Sequence, residues 1–534
     1  MCKAKTQVIL DGLPSILTWQ KLKLTIENRG SDNFCHPREI ENMFTYKMPE
    51  EKGIKSENIK KYIEVLENAG LSTHNVVIAR GYDIVYENYW APFDKDFLHR
   101  QYSVSKSFVA IAVGFAIQDG KMNLNDKLVD YFDEEYTKNC GAVQRTQTIR
   151  DMLMMSTGHG DGGYWFSDQP EDRVKHYFEA SGKGFCKIPG GLFRYDSEGS
   201  FVLGAIVEKV TGKELMEYLR EKLFDKIGVS QEAHALKCPG GAAWGDSAVL
   251  CTATDLLKVA RFTMNYGKWN GEQLLDEQYL RDATSDLLPT ANTSDYPSTY
   301  GYGYLIWKTQ QNGFFFNGMG CQFAICVPHK DIIMVYNGDN QGNPSAKTLI
   351  IDNFFNLIVN EVDDSSAIND KAYGELCEYS KKLELMHEVG GETCEMADKI
   401  AGKTFVLEEN PMGIKKIKFT FEGDEGKLEY ENEQGEKVLP FGFGKNVFAL
   451  FPQVGYSKEV GSVYNDYHRY KGAYSGKWLS NNTLYINVQI IDDYFGRAHM
   501  YFQFCDENTV TVQMKKTAED FLKEYTGMAQ GKAE

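Results

Sequence analysis

The sequence predicts an α/β protein in which helices flank an antiparallel sheet, followed by a second, antiparallel β domain. Two observations predict this fold class. Up to about residue 365, short strand-like segments come first, a helix- and loop-rich stretch follows, and strands and a helix then return. Beyond residue 401, apolar and polar residues alternate between Gly-, Asn- and Asp-containing turns, which is typical of antiparallel strands. A chain of 534 residues is too long for one core, so two or three domains are expected.

The limits of these parts follow from where the residue patterns change. Residues 1–45 lack periodicity and form an N-terminal extension, and residues 46–365 form the first domain, with a helical insertion at about 125–290. A charged and largely helical linker is expected over residues 366–400. Residues 401–534 form the β domain, lipocalin-like or similar. We expect this domain either to shape the substrate site or to serve stability and assembly.

Individual elements are predicted from periodicity and from the residues that bound each segment. Apolar residues at helical spacing predict helices, and short β-branched or aromatic runs between turn residues predict strands. In chain order the first domain is expected to contain a helix at about Ser56–Ala69, strands Asn75–Arg80 and Asp83–Glu87, helices Ser103–Asp119, Ser200–Val210 and Glu214–Phe224, strands Tyr302–Lys308, Phe323–Val327 and Ile332–Tyr336, and a helix Ala346–Val359. The alternating runs of the β domain are Lys416–Phe421, Leu484–Val488 and Val510–Met514.

Charge and residue usage exclude several classes of protein. The chain has 58 basic and 75 acidic residues, a net charge of −17, which argues against nucleic acid as a general partner. The apolar run Phe108–Ile117 is too short to span a bilayer, so no membrane partner is expected. The N-terminus lacks a secretory signal pattern, and eleven scattered cysteines without C-x-x-C pairing indicate reduced thiols, so a cytoplasmic location is predicted. Ten histidines show no ligand spacing, so neither a metal nor a cofactor is expected.

A Ser-x-x-Lys sequence, Ser103 to Lys106, carries the first indication of chemistry. Three residues make nearly one helical turn, so the lysine amine can reach back to the serine hydroxyl. The helix N-terminus beside Ser103 can help an oxyanion form, and burial of Lys106 would favour a neutral, proton-accepting amine. Taken alone, the pattern also fits a helix N-cap followed by a solvated lysine.

Further segments in register with Ser103 resemble the serine β-lactamase and penicillin-binding-protein superfamily, in its class C-like esterase and amidase branch. The resemblance covers roughly residues 46–360 and implies a β-lactamase/transpeptidase-like fold. It implies that Tyr195 points its phenol at the nucleophile and moves a proton, although a lone Tyr before a helix is more often a packing residue. Ser197 stands where the family usually has Asn. Its hydroxyl can donate to a substrate carbonyl or to Lys106, but it has one donor where the amide has two. The segments that carry the resemblance are Ser103–Phe108, Asp119–Asp126, Thr148–Leu153, Pro189–Ser197, Leu203–Gly212, Ala253–Leu256 and Tyr300–Tyr304.

The third family motif departs from the usual pattern. Many relatives carry Lys-Thr-Gly or His-Thr-Gly, whereas this chain has Asn317-Gly-Met-Gly-Cys321-Gln, similar to the G-x-G-G-Q form of nylon-oligomer hydrolases. Without that cation the usual anchor for a β-lactam carboxylate is missing, which argues against antibiotic hydrolysis and transpeptidation. The resemblance implies that the Cys321 N–H completes an oxyanion hole with the Ser103 amide. Gly318 and Gly320 fit this role and also a β-bulge or close strand packing.

The sequence therefore predicts a serine hydrolase that forms an acyl-enzyme with an ester or amide of a small molecule. Lys106 and Tyr195 are expected to act as one coupled proton-handling unit. Two alternatives stay open: acyl transfer to an alcohol or amine at the same site, and a catalytically silent binding relative. Homo-oligomer formation also stays open. His159 is expected in a loop near the site, and Tyr164-Trp165-Phe166 lines an acyl pocket or packs in a loop.

Overall fold

The computed structural model describes residues 43–158, 171–180, 187–238, 240–291, 300–454, 468–518 and 521–534. Residues 1–42 of the expected extension, His159 and the Tyr164–Phe166 cluster lie outside the described residues. In the described part, no helix is both long and apolar enough to cross a membrane.

Twelve strands of the first domain are described, most of them in one sheet. In chain order they are β1 (Thr45–Tyr46), β2 (Thr73–Arg80), β3 (Asp83–Tyr89), β4 (His99–Arg100), β5 (His234–Ala235), β6 (Val249–Cys251), β7 (Lys268–Trp269), β8 (Glu272–Gln273), β9 (Trp307–Lys308), β10 (Phe314–Gly318), β11 (Gln322–Val327) and β12 (Ile332–Gly338). The seven-stranded sheet has the order β1-β3-β2-β12-β11-β10-β9 and is antiparallel except for the β1–β3 pair. Strands β2, β11 and β12 are buried along almost their whole length.

Helices surround this sheet, and most of them lie between β3 and β9 along the chain. They are α1 (Ser56–Asn68), α2 (Ser105–Gln118), α3 (Glu134–Thr137), α4 (Ile149–Leu153), α5 (Arg173–Ala180), α6 (Ser197–Thr211), α7 (Leu215–Leu219), α8 (Asp225–Ile227), α9 (Ala253–Met264), α10 (Glu277–Ala283), α11 (Ala346–Phe354), α12 (Asp370–Ser380) and α13 (Glu395–Ile400). Helix α2 is buried from Ser105 to Ala116, since it is apolar on every side and therefore suits a central position.

The C-terminal part is a separate antiparallel β-barrel. Its strands are β13 (Thr404–Leu407), β14 (Lys416–Glu422), β15 (Glu425–Asn432), β16 (Gly435–Phe443), β17 (Val447–Leu450), β18 (Lys471–Ser480), β19 (Thr483–Ile491), β20 (Phe495–Asp506), β21 (Thr509–Thr517) and β22 (Gly527–Ala533). Their order is β16-β15-β14-β13-β22-β21-β20-β19-β18-β17, and an additional pairing of β16 with β18 closes the sheet. Phe419 packs edge to face against Phe502 and Phe504, so aromatic rings form the barrel core.

The structure differs from the sequence prediction at several elements. The expected strand Tyr302–Lys308 shortens to Trp307–Lys308, because Leu305 has a left-handed backbone (φ 54°) that interrupts an extended segment. Strand β10 was not predicted; its Phe314-Phe-Phe-Asn-Gly sequence is almost entirely buried and does not alternate. The helix expected over Glu214–Phe224 is α7 followed by a π-helical turn, Arg220–Phe224.

The N-terminal extension and the linker also differ in part from the sequence prediction. Strand β1 pairs with β3 through Thr45 and Asp83, so the end of the expected extension belongs to the edge of the first sheet. The expected helical linker, residues 366–400, contains helices α12 and α13, and the segment between them is not helical and contacts the barrel. Gly391 accepts a hydrogen bond from the Trp478 N–H (2.8 Å), and Met386 accepts one from the Gln489 amide (2.9 Å).

Candidate active site

The Ser-x-x-Lys segment lies at the entry to the central helix. Ser103 sits in a 3₁₀ turn, Tyr102–Val104, that leads directly into α2, and Lys106 is in the first turn of α2. Lys106 Nζ donates to Ser103 Oγ at 3.0 Å and to the Asp246 carbonyl at 2.8 Å. The Lys106 residue is only 1% exposed. The lysine is therefore buried and bonded to the serine, which the solvated-lysine alternative does not accommodate.

Asp246 is a neighbour of Lys106 that the sequence reasoning missed. Its carboxylate lies 3.9 Å from Lys106 Nζ, and it is fully buried. Neither carboxylate oxygen has a hydrogen-bond partner in another described residue. Burial raises the pKa of the Asp246 carboxyl, and the attraction of Lys106 opposes this rise only in part. No motif marks Asp246, since pairing of β4 with β6 brings its segment to Lys106 across 140 residues of chain.

Tyr195 approaches Lys106 from another side. Lys106 Nζ lies 5.1 Å from the centroid of the Tyr195 ring, and that ring stacks on Trp307 with centroids 5.9 Å apart. The next residue, Asp196, caps helix α6 by accepting a hydrogen bond from the Gly199 N–H at 2.8 Å. The stacked indole and the helix cap together fix the position of the phenol. Three of the sequence-predicted residues, Ser103, Lys106 and Tyr195, are thus brought together around one amine.

Ser197 and Lys187 lie on the same segment as Tyr195. Ser197 is the first residue of α6 and is 8% exposed, and its hydroxyl has no hydrogen-bond partner in the part of the chain described. Lys187, which the sequence reasoning did not single out, donates to the Thr157 carbonyl. Burial lowers the pKa of Lys187 to about 8.

The turn between β10 and β11 packs against the nucleophile turn. A Cβ on Gly318 would lie 2.3 Å from the Gln101 carbonyl oxygen, so only glycine permits this approach. Gly320 (φ 75°) and Cys321 (φ 73°) both have left-handed backbones. Gly318 therefore has the close packing that one reading of the motif predicted, and Gly320 has the positive φ of a tight turn.

Within this turn the amide groups of Cys321 and Met319 differ. The Cys321 N–H donates to the Gly318 carbonyl at 3.2 Å, which engages the donor that the resemblance assigned to the oxyanion hole. The Met319 N–H has no acceptor in the described residues. Burial raises the pKa of the Cys321 thiol to about 12, so this thiol stays protonated at neutral pH.

Buried amide side chains connect the two turns. Gln322 donates to the Met319 carbonyl at 3.1 Å and accepts from Asn337 Nδ2 at 3.0 Å. Asn337 Nδ2 also lies 3.3 Å from the side-chain oxygen of Gln101, two residues before Ser103. Because each amide both donates and accepts, the network holds the nucleophile turn and the β10–β11 turn in a fixed relation. Among the described residues, no cluster of His, Cys, Asp or Glu could hold a metal ion.

The fold is that of the β-lactamase and penicillin-binding-protein superfamily. The family model described as Beta-lactamase matches residues 59–352, and the chain belongs to this family. The chain is 26% identical over 227 residues to a 6-aminohexanoate-dimer hydrolase of Paenarthrobacter ureafaciens; the match covers 39% of this chain and 56% of that protein. It thus spans about half the length of that relative.

Two solved structures are similar in fold at low sequence identity. One is a putative 6-aminohexanoate-dimer hydrolase from Bacillus anthracis, with a TM-score of 0.48 and 19% identity over 56% of this chain and 80% of that one. The other is an octameric penicillin-binding protein homologue from Pyrococcus abyssi, with a TM-score of 0.46 and 14% identity over 89% of this chain and 99% of that one.

Proposed function

We propose that this β-lactamase-family protein is a serine hydrolase that cleaves an ester or amide bond of a small molecule through an acyl-enzyme on Ser103. The observation that carries the proposal is the 3.0 Å hydrogen bond between Lys106 Nζ and Ser103 Oγ in a buried site beside Tyr195. The similarity to a protein named 6-aminohexanoate-dimer hydrolase supports hydrolysis of a small molecule.

In the proposed mechanism Ser103 Oγ attacks the substrate carbonyl carbon while its proton passes to the Lys106–Tyr195 pair. Lys106 and Tyr195 then return the proton to the leaving alcohol or amine as the acyl–oxygen or acyl–nitrogen bond breaks. A water molecule then attacks the carbonyl carbon of the acyl-enzyme and gives one proton to the same pair. As the bond between the acyl carbon and Ser103 Oγ breaks, Ser103 Oγ takes this proton back and the acid is released. Because the two side chains are coupled, the proton belongs to the pair and not to one fixed base.

The proposed oxyanion hole consists of the Ser103 N–H and the Met319 N–H. Met319 follows Gly318, whose close approach to Gln101 holds this turn beside the nucleophile, and its N–H has no protein acceptor in the described residues. Two backbone donors at the developing negative charge typically lower the barrier by several kcal/mol. Cys321 is the less suitable donor because its N–H is bonded to Gly318.

We also propose a cytoplasmic location, homo-oligomer formation and domain limits at residues 365 and 401.

The test is turnover of a panel of esters with graded acyl length, small amides and the β-lactam nitrocefin. The native chain should hydrolyse some esters or amides, and Ser103→Ala should lose at least about 10³-fold in kcat. The matched control is Ser107→Ala, which removes a hydroxyl from the same helix that bonds the Leu305 carbonyl (3.1 Å) instead of Lys106. Equal turnover by the native chain and Ser103→Ala, or no turnover of any panel member, would contradict the proposal. Nitrocefin should be the poorest substrate, since the Asn317–Gly320 segment has no cation for its carboxylate.

A further inference from the structure

Tyr102, the residue directly before Ser103, is held by the C-terminal barrel. Its side chain is 1% exposed, and its hydroxyl accepts a hydrogen bond from the Phe495 N–H at 2.9 Å and donates to the Phe495 carbonyl at 3.2 Å. Phe495 is the first residue of β20, 393 positions along the chain. One hydroxyl thus bonds both backbone groups of a single barrel residue.

The backbone of Tyr102 explains why such a hold matters. Its φ of 45° lies in the left-handed region, which is unfavourable for a non-glycine residue and persists only where the surroundings enforce it. The direction in which the following Ser103 leaves the turn depends on this conformation. A phenylalanine ring would fill the same apolar space, but it could not make the two hydrogen bonds. These bonds fix Tyr102 relative to the barrel backbone.

The same barrel turn also reaches the side of the site that holds Lys106. The Arg100 guanidinium carbon lies 4.5 Å from the Tyr494 ring centroid, 4.4 Å from that of Tyr102 and 4.8 Å from that of Trp244. Arg100 Nε also donates to the Ser247 carbonyl at 3.1 Å.

The contacts of Arg100 with Trp244 and Ser247 reach the segment that contains the hydrogen-bond acceptor of Lys106. Trp244 and Ser247 flank Asp246, whose carbonyl accepts the hydrogen bond from Lys106. The three rings and the guanidinium that they contact are all buried, so a shift of Tyr494 would move Arg100 and, through it, this segment.

We propose that the Tyr494–Phe495 turn of the barrel is a positioning element of the catalytic centre, acting on Ser103 through Tyr102 and on Lys106 through Arg100. This inference rests on the proposed function, because it assigns Ser103 and Lys106 their roles. In this role the barrel sets the geometry of the nucleophile through Tyr102. A misplacement of about 1 Å at a nucleophile can lower the rate about 100-fold.

The test uses full-length variants and the best ester of the panel. Tyr102→Phe removes only the hydroxyl, and it should lower kcat about 10- to 100-fold while KM changes less than about twofold. Tyr494→Leu removes the ring against Arg100 and should lower kcat about tenfold, whereas Tyr494→Phe keeps that ring and should restore it. The matched control is Tyr474→Phe, which removes a buried hydroxyl that donates to the Ala449 carbonyl (3.0 Å) inside the barrel; its kcat should be unchanged.

Labelling of Ser103 by a fluorophosphonate separates failure of this inference from failure of the proposed function. The native chain should label at Ser103, and Tyr102→Phe should reach the same final extent at a lower rate. Absence of labelling in the native chain would contradict the proposed function itself. Native kcat and labelling rate in Tyr102→Phe and in Tyr494→Leu, with only a lower melting temperature, would overturn the positioning role. If Tyr102→Phe does not fold, the pair Tyr494→Leu and Tyr494→Phe decides by the same criterion.

Discussion

The floor of the candidate site and its rim differ in how firmly their side chains are held. On the floor, Lys106 and Tyr102 are each 1% exposed, and Asp246 is fully buried. On the rim, defined as Ile188 and Leu192 before Tyr195 and Met319 after Gly318, three large apolar side chains are 80%, 60% and 38% exposed, respectively. Large apolar side chains that are exposed beside the motif residues offer contact area to a substrate.

From this difference we infer that the floor determines the rate of the chemical step and that the rim determines which substrates bind. The buried floor contains Lys106, which we propose moves protons, and hydrogen bonds hold Lys106 and Tyr102 in place. The exposed rim offers apolar contact area without such bonds. We therefore expect changes in the floor to act on kcat and changes in the rim to act on KM and on the preference for acyl length.

The largest expected effect comes from the two proton-handling residues. Lys106→Ala and Tyr195→Phe should each lower kcat by about 10²- to 10⁴-fold, because each removes general acid–base catalysis. The double variant should lose far less than the product of the two losses, since residues that act as one unit are not additive. Steady-state kinetics of the native chain, both single variants and the double variant measure this. Multiplicative losses would show that the two residues act independently.

The next prediction concerns Asp246, a second floor residue. Its substitution by asparagine should change activity and stability differently. The pKa of Asp246 is raised in the folded state, so ionisation of this buried group costs stability at neutral pH. As the pH falls through this raised pKa, the folded state takes up the proton first and the native chain recovers that stability. The variant should therefore lower kcat about tenfold without a lower melting temperature at pH 7.

The melting curves give the pH signature of this prediction. The difference in melting temperature between Asp246→Asn and the native chain should shrink as the pH falls below 7 through the raised pKa of Asp246. A variant that melts well below the native chain at pH 7 would show that the ion pair with Lys106 is a net source of stability.

A rim substitution should produce a smaller and more selective change. Leu192→Ser removes an apolar side chain from the segment before Tyr195, and it should raise KM for long-acyl esters about tenfold, a loss close to the transfer free energy of one leucine. Acetate esters should be unaffected, and kcat should stay within about twofold. Leu192→Met is the control, since it keeps apolar area of similar size. A uniform loss of kcat across the panel would place Leu192 with the floor.

The contact between the two domains behind the floor predicts that the stability of the protein is sensitive to acid. His74 Nδ1 and His99 Nε2 lie 3.1 Å apart, and the His74 ring is 5.0 Å from that of Phe495. Burial lowers the pKa of His99 to about 3 and that of His74 well below its usual value, with nearby Arg497 also opposing a charge on His74. Unfolded chains bind protons on both rings below about pH 6.5, so stability is complete above this pH and is lost as the pH falls through it.

Chemical denaturation at several pH values measures this loss. Between pH 6 and pH 4, His99 should contribute a slope of up to about 1.4 kcal/mol per pH unit, and His74 should add to this slope in the same direction. The double variant His74→Gln with His99→Gln should show a slope smaller by this amount. An unchanged slope would mean that both rings are charged in the folded protein.

The sequence predicted contacts between residues close in the chain better than contacts between distant segments, for a physical reason. Ser103 and Lys106 are one helical turn apart, so their contact is local, and Tyr195 was found because its segment resembles a family motif in register. Asp246 and the Tyr494–Phe495 turn reach the site through pairing and packing between distant segments, which leaves no spacing to read. Strand β10 was missed because a strand buried on both faces does not alternate.

The most direct test of the central claim is to locate the acyl group on the enzyme. The native chain, quenched in acid within the first turnovers of an activated ester, should carry one acyl mass per chain, on the peptide that contains Ser103. Ser103→Ala should carry none, and the control Ser107→Ala should carry the same mass as the native chain. An acyl group found on another residue, or persistent acylation of Ser103→Ala, would contradict the account.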